Sequence, residues 1–269
     1  FVDLAQQLHT KQIVPTKWSP CIFEHVYIAR PDSVMDKVSV YKSRLRMGKL
    51  LGEKIKIAMQ NGLVIDVVVP VPDTSRSAAM EIAATISVPY REGLIKNRYI
   101  GRTFIMAGQT VRQRSIKYKF NPIHLEIEGK RVLLVDDSIV RGNSSRKIIQ
   151  MVRDAGAKEV YFASCCPPLR HPCVYGVDMP TRKEFIANNL SIEEVGKALG
   201  ADALFYQSLP DLHKAVKTGN PAITKFCDAC MSGEYPTPEV TEELLASVEA
   251  VRKKALDRQD QGGEFEPDD

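Results

Sequence analysis

The sequence predicts an α/β protein with a mainly parallel sheet flanked by helices. Three observations carry this. VIDVVVPVP at 64–72, RVLLVDD at 131–137 and KEVYFASC at 158–165 are short apolar runs rich in β-branched residues, as strands covered on both faces are. Each is followed by a stretch with helical spacing. The most polar loops lie directly after two of these runs, where parallel sheets place ligands.

The elements follow in order. Residues 1–20 read as irregular. Residues 40–60 form an amphipathic helix, with Leu45, Leu50, Leu51, Ile55 and Ile57 set among Lys and Arg. The first strand leads through a Pro-Asp turn into an Ala-rich helix from about Arg76. RVLLVDD is the second strand, and SRKIIQMVRDAGA is the helix after it. KEVYFASC is the third strand. SIEEVGKALG is a helix whose Ser191 and Glu194 form a capping box, and DALFYQS is a fourth strand. A helix from about Glu239 to Arg258 runs into DRQDQGGEFEPDD, which reads as a disordered acidic tail. This divides the chain into an entering segment 1–38, a main domain 39–235 and a C-terminal helix and tail 236–269. No internal repeat is visible.

The 269 residues suffice for one large core. A net charge of +4 is too weak to point to nucleic acid. No apolar run approaches the roughly 20 residues that span a bilayer, and no signal peptide is seen, so a cytoplasmic protein is expected. The chain opens on Phe1, which suggests a piece of a longer protein. Without a secretory signal, the six cysteines (21, 165, 166, 173, 227 and 230) are not expected to form a disulfide framework. Cys165 and Cys166 follow a strand and are assigned to the core. Cys227 and Cys230 form C-x-x-C, a spacing that suits a shared metal or a dithiol but is weak alone.

DDSIVRGNSS at 136–145 raises the chemical question. Adjacent carboxylates repel and cost free energy unless a cation or a hydroxyl-rich ligand lies against them. Gly142 lets backbone approach a ligand, and the amides of Arg141, Gly142, Asn143, Ser144 and Ser145 open a helix as a phosphate cradle. Ser138, Ser144 and Ser145 add hydroxyls. Asp136 and Asp137 can accept from sugar hydroxyls or lie near Mg²⁺, so a 5-phosphorylated sugar fits. The G-x-x-x-x-G-K-[ST] spacing of a P-loop is lacking. PDTSRS at 72–77, with Asp73, Thr74 and Ser75, reads alone as an ordinary turn and N-cap, but facing the first loop it becomes a second anion site. The stretch 96–122 carries Lys96, Arg98, Arg102, Arg112, Arg114, Lys117 and Lys119, with Arg91 just before it. A basic loop of this length suits a lid that closes over a polyanion.

The 136–145 stretch resembles the phosphoribosyl-pyrophosphate (PRPP) motif of type I phosphoribosyltransferases. Together with CIFEHVYIARPDS, KNRYIGRTFIMAGQ and HPCVYGVDMPT, it resembles the glutamine PRPP amidotransferase family from about Ser19 to Pro238. The resemblance implies the type I phosphoribosyltransferase fold and transfer of ammonia to PRPP, giving 5-phosphoribosylamine and pyrophosphate in purine biosynthesis. It implies Mg²⁺, with Ser75, Asp136 and Asp137 as its expected surroundings. It implies PRPP contacts from Asp73, Thr74, Ser75, Asp136, Asp137, Ser138, Arg141, Gly142, Asn143, Ser144 and Ser145. Catalytic roles fall on the lid residues Lys96, Arg98, Tyr99 and Arg102, which help bind ligand and line an ammonia path. Homo-oligomers, usually tetramers, and feedback inhibition by purine nucleotides are implied too. Two departures stand out. The family's N-terminal glutaminase domain, which begins on a nucleophilic cysteine, has no counterpart here, so glutamine hydrolysis is not expected from these residues. Ala107 stands where relatives often carry Pro.

In family members that hold a [4Fe–4S] cluster, the ligands match Cys21, Cys173, Cys227 and Cys230, which are all cysteine here. Four thiolates are the usual ligation, and the cluster would staple the C-terminal segment to the core. Reduced thiols or Zn²⁺ in the same cage are the alternatives. Two other functions compete with the amidotransferase. A nucleobase phosphoribosyltransferase would need a base-reading hood, and no such segment is seen. A non-catalytic PRPP-binding regulator would not need so long a lid.

Overall fold

The computed structural model describes residues 1–11, 18–97 and 120–261, with the backbone alone over 253–261. A π-helical turn (Glu24–Ile28) is followed by a short antiparallel pair, β1 (Val34–Met35) and β2 (Val38–Ser39). Ser39 caps α1 (Val40–Gln60) by accepting from the Lys42 amide. The first sheet strand is β3 (Val67–Pro70), and α2 (Arg76–Ile86) follows it. Then β4 (Leu94–Lys96) pairs antiparallel with β5 (Phe120–Pro122), and the two bracket the basic 97–119 stretch. The short α3 (His124–Ile127) leads to β6 (Arg131–Asp136), α4 (Asn143–Asp154) and β7 (Glu159–Ser164). The chain closes with α5 (Ile192–Leu199), β8 (Ala203–Tyr206), α6 (Leu209–Lys217), α7 (Ala229–Ser232) and α8 (Glu242–Gln261).

Strands β3, β6, β7 and β8 form one parallel sheet in that order. Strands β3, β6 and β7 are almost wholly buried, which explains their unbroken apolar runs, while edge strand β8 is half-buried up to Tyr206. One face packs Val67, Val69, Val132, Leu134, Val160 and Phe162 against α4 and α5. The other packs Val68, Leu133, Val135 and Ala163 against α1 and α2. Gly48 allows these two helices to meet, since a Cβ there would lie 2.4 Å from the Ala78 carbonyl oxygen. A third core joins Ile22, Phe23, Met47, Cys166, Phe185, Leu212 and Phe226.

The predicted strands and helices stand where the sequence places them, and the Ser191–Glu194 capping box is formed. Cys165 and Cys166 are buried. The final helix runs to Gln261, past the expected end at Arg258 and into the stretch read as tail. Residues 262–269 lie outside the described residues, as do 98–119, so Arg98, Tyr99, Arg102, Ala107 and the expected lid are not placed. No helix among the described residues is long and apolar enough to cross a membrane.

Candidate functional site at the carboxyl edge of the sheet

Two polar loops leave adjacent parallel strands at the same edge. Pro70 of β3 lies beside Val135 of β6, and the Val71 amide continues the ladder to the Val135 carbonyl at 2.8 Å. The loop after β3 spans a cis Pro72–Asp73 peptide and a turn into α2. The loop after β6 ends at Gly142, whose φ of +74° belongs to the left-handed region. That conformation favours glycine, and a Cβ there would sit 2.6 Å from Ile186 Cδ1, so the Ile186 side chain would have to shift. α4 then begins at Asn143 with no side chain capping its first amides, the arrangement that suits an incoming anion.

The two loops approach each other, with the Thr74 side chain among the groups that act on the Asp137 carboxyl. Asp137 Oδ1 accepts from Ser138 Oγ at 2.6 Å. Burial pushes the Asp137 carboxyl up, against the pull of Ser138, the Arg44 charge and Thr74. Asp136 Oδ1 accepts from the Asp137 amide at 2.9 Å, which orients the pair. Ser75 is buried and its hydroxyl donates to the Val71 carbonyl at 2.6 Å, so it serves the turn. Lys96, at the end of β4, donates to Asp73 Oδ2 at 2.8 Å, which ties the base of the basic stretch to the first loop. Asp73 also lies 3.3 Å from Arg76. Ser145 is buried in the first turn of α4, while Asn143 and Ser144 are exposed at the mouth. Arg141 is turned away onto Glu184, with Nε 2.8 Å from Oε1.

The structure therefore gathers Asp73, Thr74, Ser75, Lys96, Asp136, Asp137, Ser138 and the first turn of α4 around one crevice. Arg44 was not singled out from sequence. It is a buried guanidinium on α1 that donates to the carbonyls of His25, Tyr27 and Ala29. A signal was present, because Arg44 interrupts an otherwise apolar stripe of Val40, Met47, Leu51 and Ile55.

The four candidate ligand cysteines converge elsewhere. Cys21 and Cys227 form a parallel bridge, with the Ile22 amide on the Cys227 carbonyl at 3.1 Å. The amides of Arg170 and His171 both donate to the Cys230 carbonyl. Burial pushes the Cys21 thiol up to about 11, with Cys227 and Cys173 adding to the shift. Burial also raises Cys230, and Cys21, Cys173 and Cys227 raise it further. All six cysteines are free, and no group of three or more metal-ligating side chains among the described residues is compact enough for a single ion.

Comparison with known proteins agrees with this geometry. The family model described as "Phosphoribosyl transferase domain" matches residues 38–191. An amidophosphoribosyltransferase of Pseudomonas aeruginosa is 54% identical over 256 residues, covering 95% of this chain and 51% of the relative. Its Saccharomyces cerevisiae counterpart is 49% identical over 228 residues, covering 84% and 44%. The chain thus spans about half the length of the curated relatives it matches. Among solved structures, the glutamine PRPP amidotransferase of B. subtilis, complexed with ADP and GMP, matches with a TM-score of 0.71 at 42% identity. That match covers 84% of this chain and 48% of the other.

Proposed function

The chain belongs to the phosphoribosyl transferase domain family, and from that premise we propose that it carries out the ribosyl-transfer half of glutamine PRPP amidotransfer. In this reading ammonia, drawn from glutamine in the full-length enzyme, displaces pyrophosphate from PRPP to give 5-phosphoribosylamine, an early step of purine biosynthesis. The supporting observation is that the two anion-suited loops leave adjacent parallel strands at the same edge, after Pro70 of β3 and Asp136 of β6.

The residues divide the work by chemistry. The amides of Asn143, Ser144 and Ser145, with the Ser138, Ser144 and Ser145 hydroxyls, take the sugar phosphate at the helix start. Asp136 and Asp137 accept from the ribose hydroxyls and hold charge near the reacting carbon. The Asp73–Ser75 turn takes the pyrophosphate, with Lys96 moving from Asp73 to the leaving group. Arg98, Tyr99 and Arg102 belong to the closing lid and exclude water around the reactive centre. The carboxylate pair fits Mg²⁺, since it offers hard oxygen donors and Asp137 bears a desolvation cost that a cation would relieve. Held by Asp136 and Asp137, Mg²⁺ would supply positive charge for a departing pyrophosphate.

The cysteine quartet belongs to the same reading as the seat of a [4Fe–4S] cluster on Cys21, Cys173, Cys227 and Cys230. Support for the quartet as one site comes from the Cys21–Cys227 backbone pairing and the turn that carries Cys230, and four thiolates are the usual ligation of such a cluster. The cluster would cross-link the Cys21 segment to the C-terminal part. Homo-oligomerisation to a tetramer, inhibition by purine nucleotides, a glutaminase domain elsewhere in the full-length protein and a cytoplasmic location complete the proposal. So does the division 1–38, 39–235 and 236–269. Pyrophosphate release from PRPP with ammonium as nucleophile tests the activity directly; release only with a nucleobase would refute it.

A further inference from the structure

The segment after β7 returns to press on the loop between β6 and α4. The Ile186 amide donates to the Val140 carbonyl at 3.0 Å. Ile186 Cδ1 and Leu199 Cδ2 fill the space where a side chain at Gly142 would stand, at 2.6 and 2.9 Å. Between them, Glu184 receives Arg141 through both Nε and Nη2 at 2.8 Å. The other carboxylate oxygen of Glu184 accepts from the Thr181 amide at 2.8 Å and the Thr181 hydroxyl at 2.9 Å. This closes the 3-10 turn Arg182–Glu184. The outer side of that turn is fastened to α8, because Arg182 Nη1 lies 2.6 Å from Glu242 and its amide donates to Glu249 at 2.7 Å. Arg252 of α8 meets Asp178 at 2.6 Å.

A loop that must be ordered on binding costs affinity, whereas a loop held beforehand does not. The αL turn at Gly142 aims the α4 amides, and Arg141 immediately precedes it. With its charge matched by Glu184, Arg141 adds little net attraction for an anion. We propose that Glu184 is a positioning residue for the phosphate loop and that Arg141 is its strut, not a ligand of the phosphate. This rests on the reading that the loop 138–145 takes the sugar phosphate.

The test is a double-mutant cycle with Glu184→Gln and Arg141→Met in the intact protein, measured by steady-state kinetics with PRPP and Mg²⁺ and by direct PRPP binding. Gln keeps an acceptor for Thr181, so the 3-10 turn survives; an unchanged melting temperature checks this. Each single variant is expected to raise KM and Kd for PRPP about fivefold, the scale of one half-exposed ion pair, with kcat within about twofold of the parent. The double variant is expected to match the singles, because the two act as one unit. An Arg141→Met loss far larger than that of Glu184→Gln, or additive effects, would make Arg141 a phosphate ligand and overturn the inference. So would a parent and variants that bind PRPP equally well. A parent protein that binds no PRPP would instead overturn the phosphoribosyl-transfer reading on which the inference rests.

Discussion

Asp137 shows how a single residue carries both a cost and a role. Its carboxylate is desolvated at the strand end, with Ser138 donating to it and the buried Arg44 charge acting on it. The buried Arg44 guanidinium is its charge counterpart in the core, and a cation or sugar hydroxyls would compensate the pair of carboxylates further. Asp137→Asn is expected to keep the fold, with a melting temperature close to that of the parent, since Asn Oδ1 can still accept from Ser138 Oγ. Turnover should fall on the order of a hundredfold, the scale of losing one electrostatic contact in a transition state. A variant that unfolds would identify Asp137 as a structural acid. The Asp pair was legible in sequence because two like charges ending a buried run have few structural uses. Glu184 was not, because its partner Arg141 lies 43 residues away and only packing of the return segment brings them together. Ser75 was legible as a turn residue, but the direction of its hydroxyl, onto Val71, is a matter of local geometry that no spacing reveals.

At the scale of elements, the parallel sheet was legible because β3, β6 and β7 are buried on both faces and read as unbroken apolar runs. The pairs β1–β2 and β4–β5 were missed. Two- and three-residue strands carry no periodicity, and β4 and β5 are separated by 97–119. Helix α6 was also missed, although Ser208 caps it and Pro210 sits in its first turn. The β3–β6 pair is clasped at its start by Asp66, which accepts from Arg131 Nε and Nη2, both at 2.9 Å, and from the Arg131 amide. Those hydrogen bonds hold the Asp66 carboxyl down to about 2. A depressed carboxyl stabilises the fold above its unfolded pKa of about 3.9, and that contribution is lost as pH falls through the folded value. Asp66→Asn should thus unfold at lower denaturant than the parent at pH 7, and the gap should close between about pH 4 and pH 2. A gap that is constant with pH would remove the clasp. In the cysteine module, His213 meets Asp228 at 2.7 Å and rests its ring edge on Phe226, so both neighbours of Cys227 are fixed. Cys230→Ser is expected to lose iron and lower stability; unchanged iron and sulfide content would remove the cluster assignment.

At the scale of the whole molecule, three cores divide the labour. Two sandwich the sheet and fix the strand ends that carry the crevice, and the third ties the Cys21 segment to α6 and the C-x-x-C turn. Both anion-suited loops leave neighbouring strands at one edge, so the sheet itself sets their separation. Lys96, at the end of β4, is tied to the first of them through Asp73. This convergence was legible because a parallel sheet sends all its strand ends the same way. The grouping of Cys21, Cys173, Cys227 and Cys230 came from the family resemblance and not from spacing, because chain order leaves these residues far apart. The central claim is that this crevice transfers a phosphoribosyl group to ammonia. Pyrophosphate release from PRPP and Mg²⁺, followed with ammonium and separately with a panel of nucleobases, tests it most directly. The account predicts release with ammonium and none with the bases; release with a base alone, or tight PRPP binding without release, would contradict it.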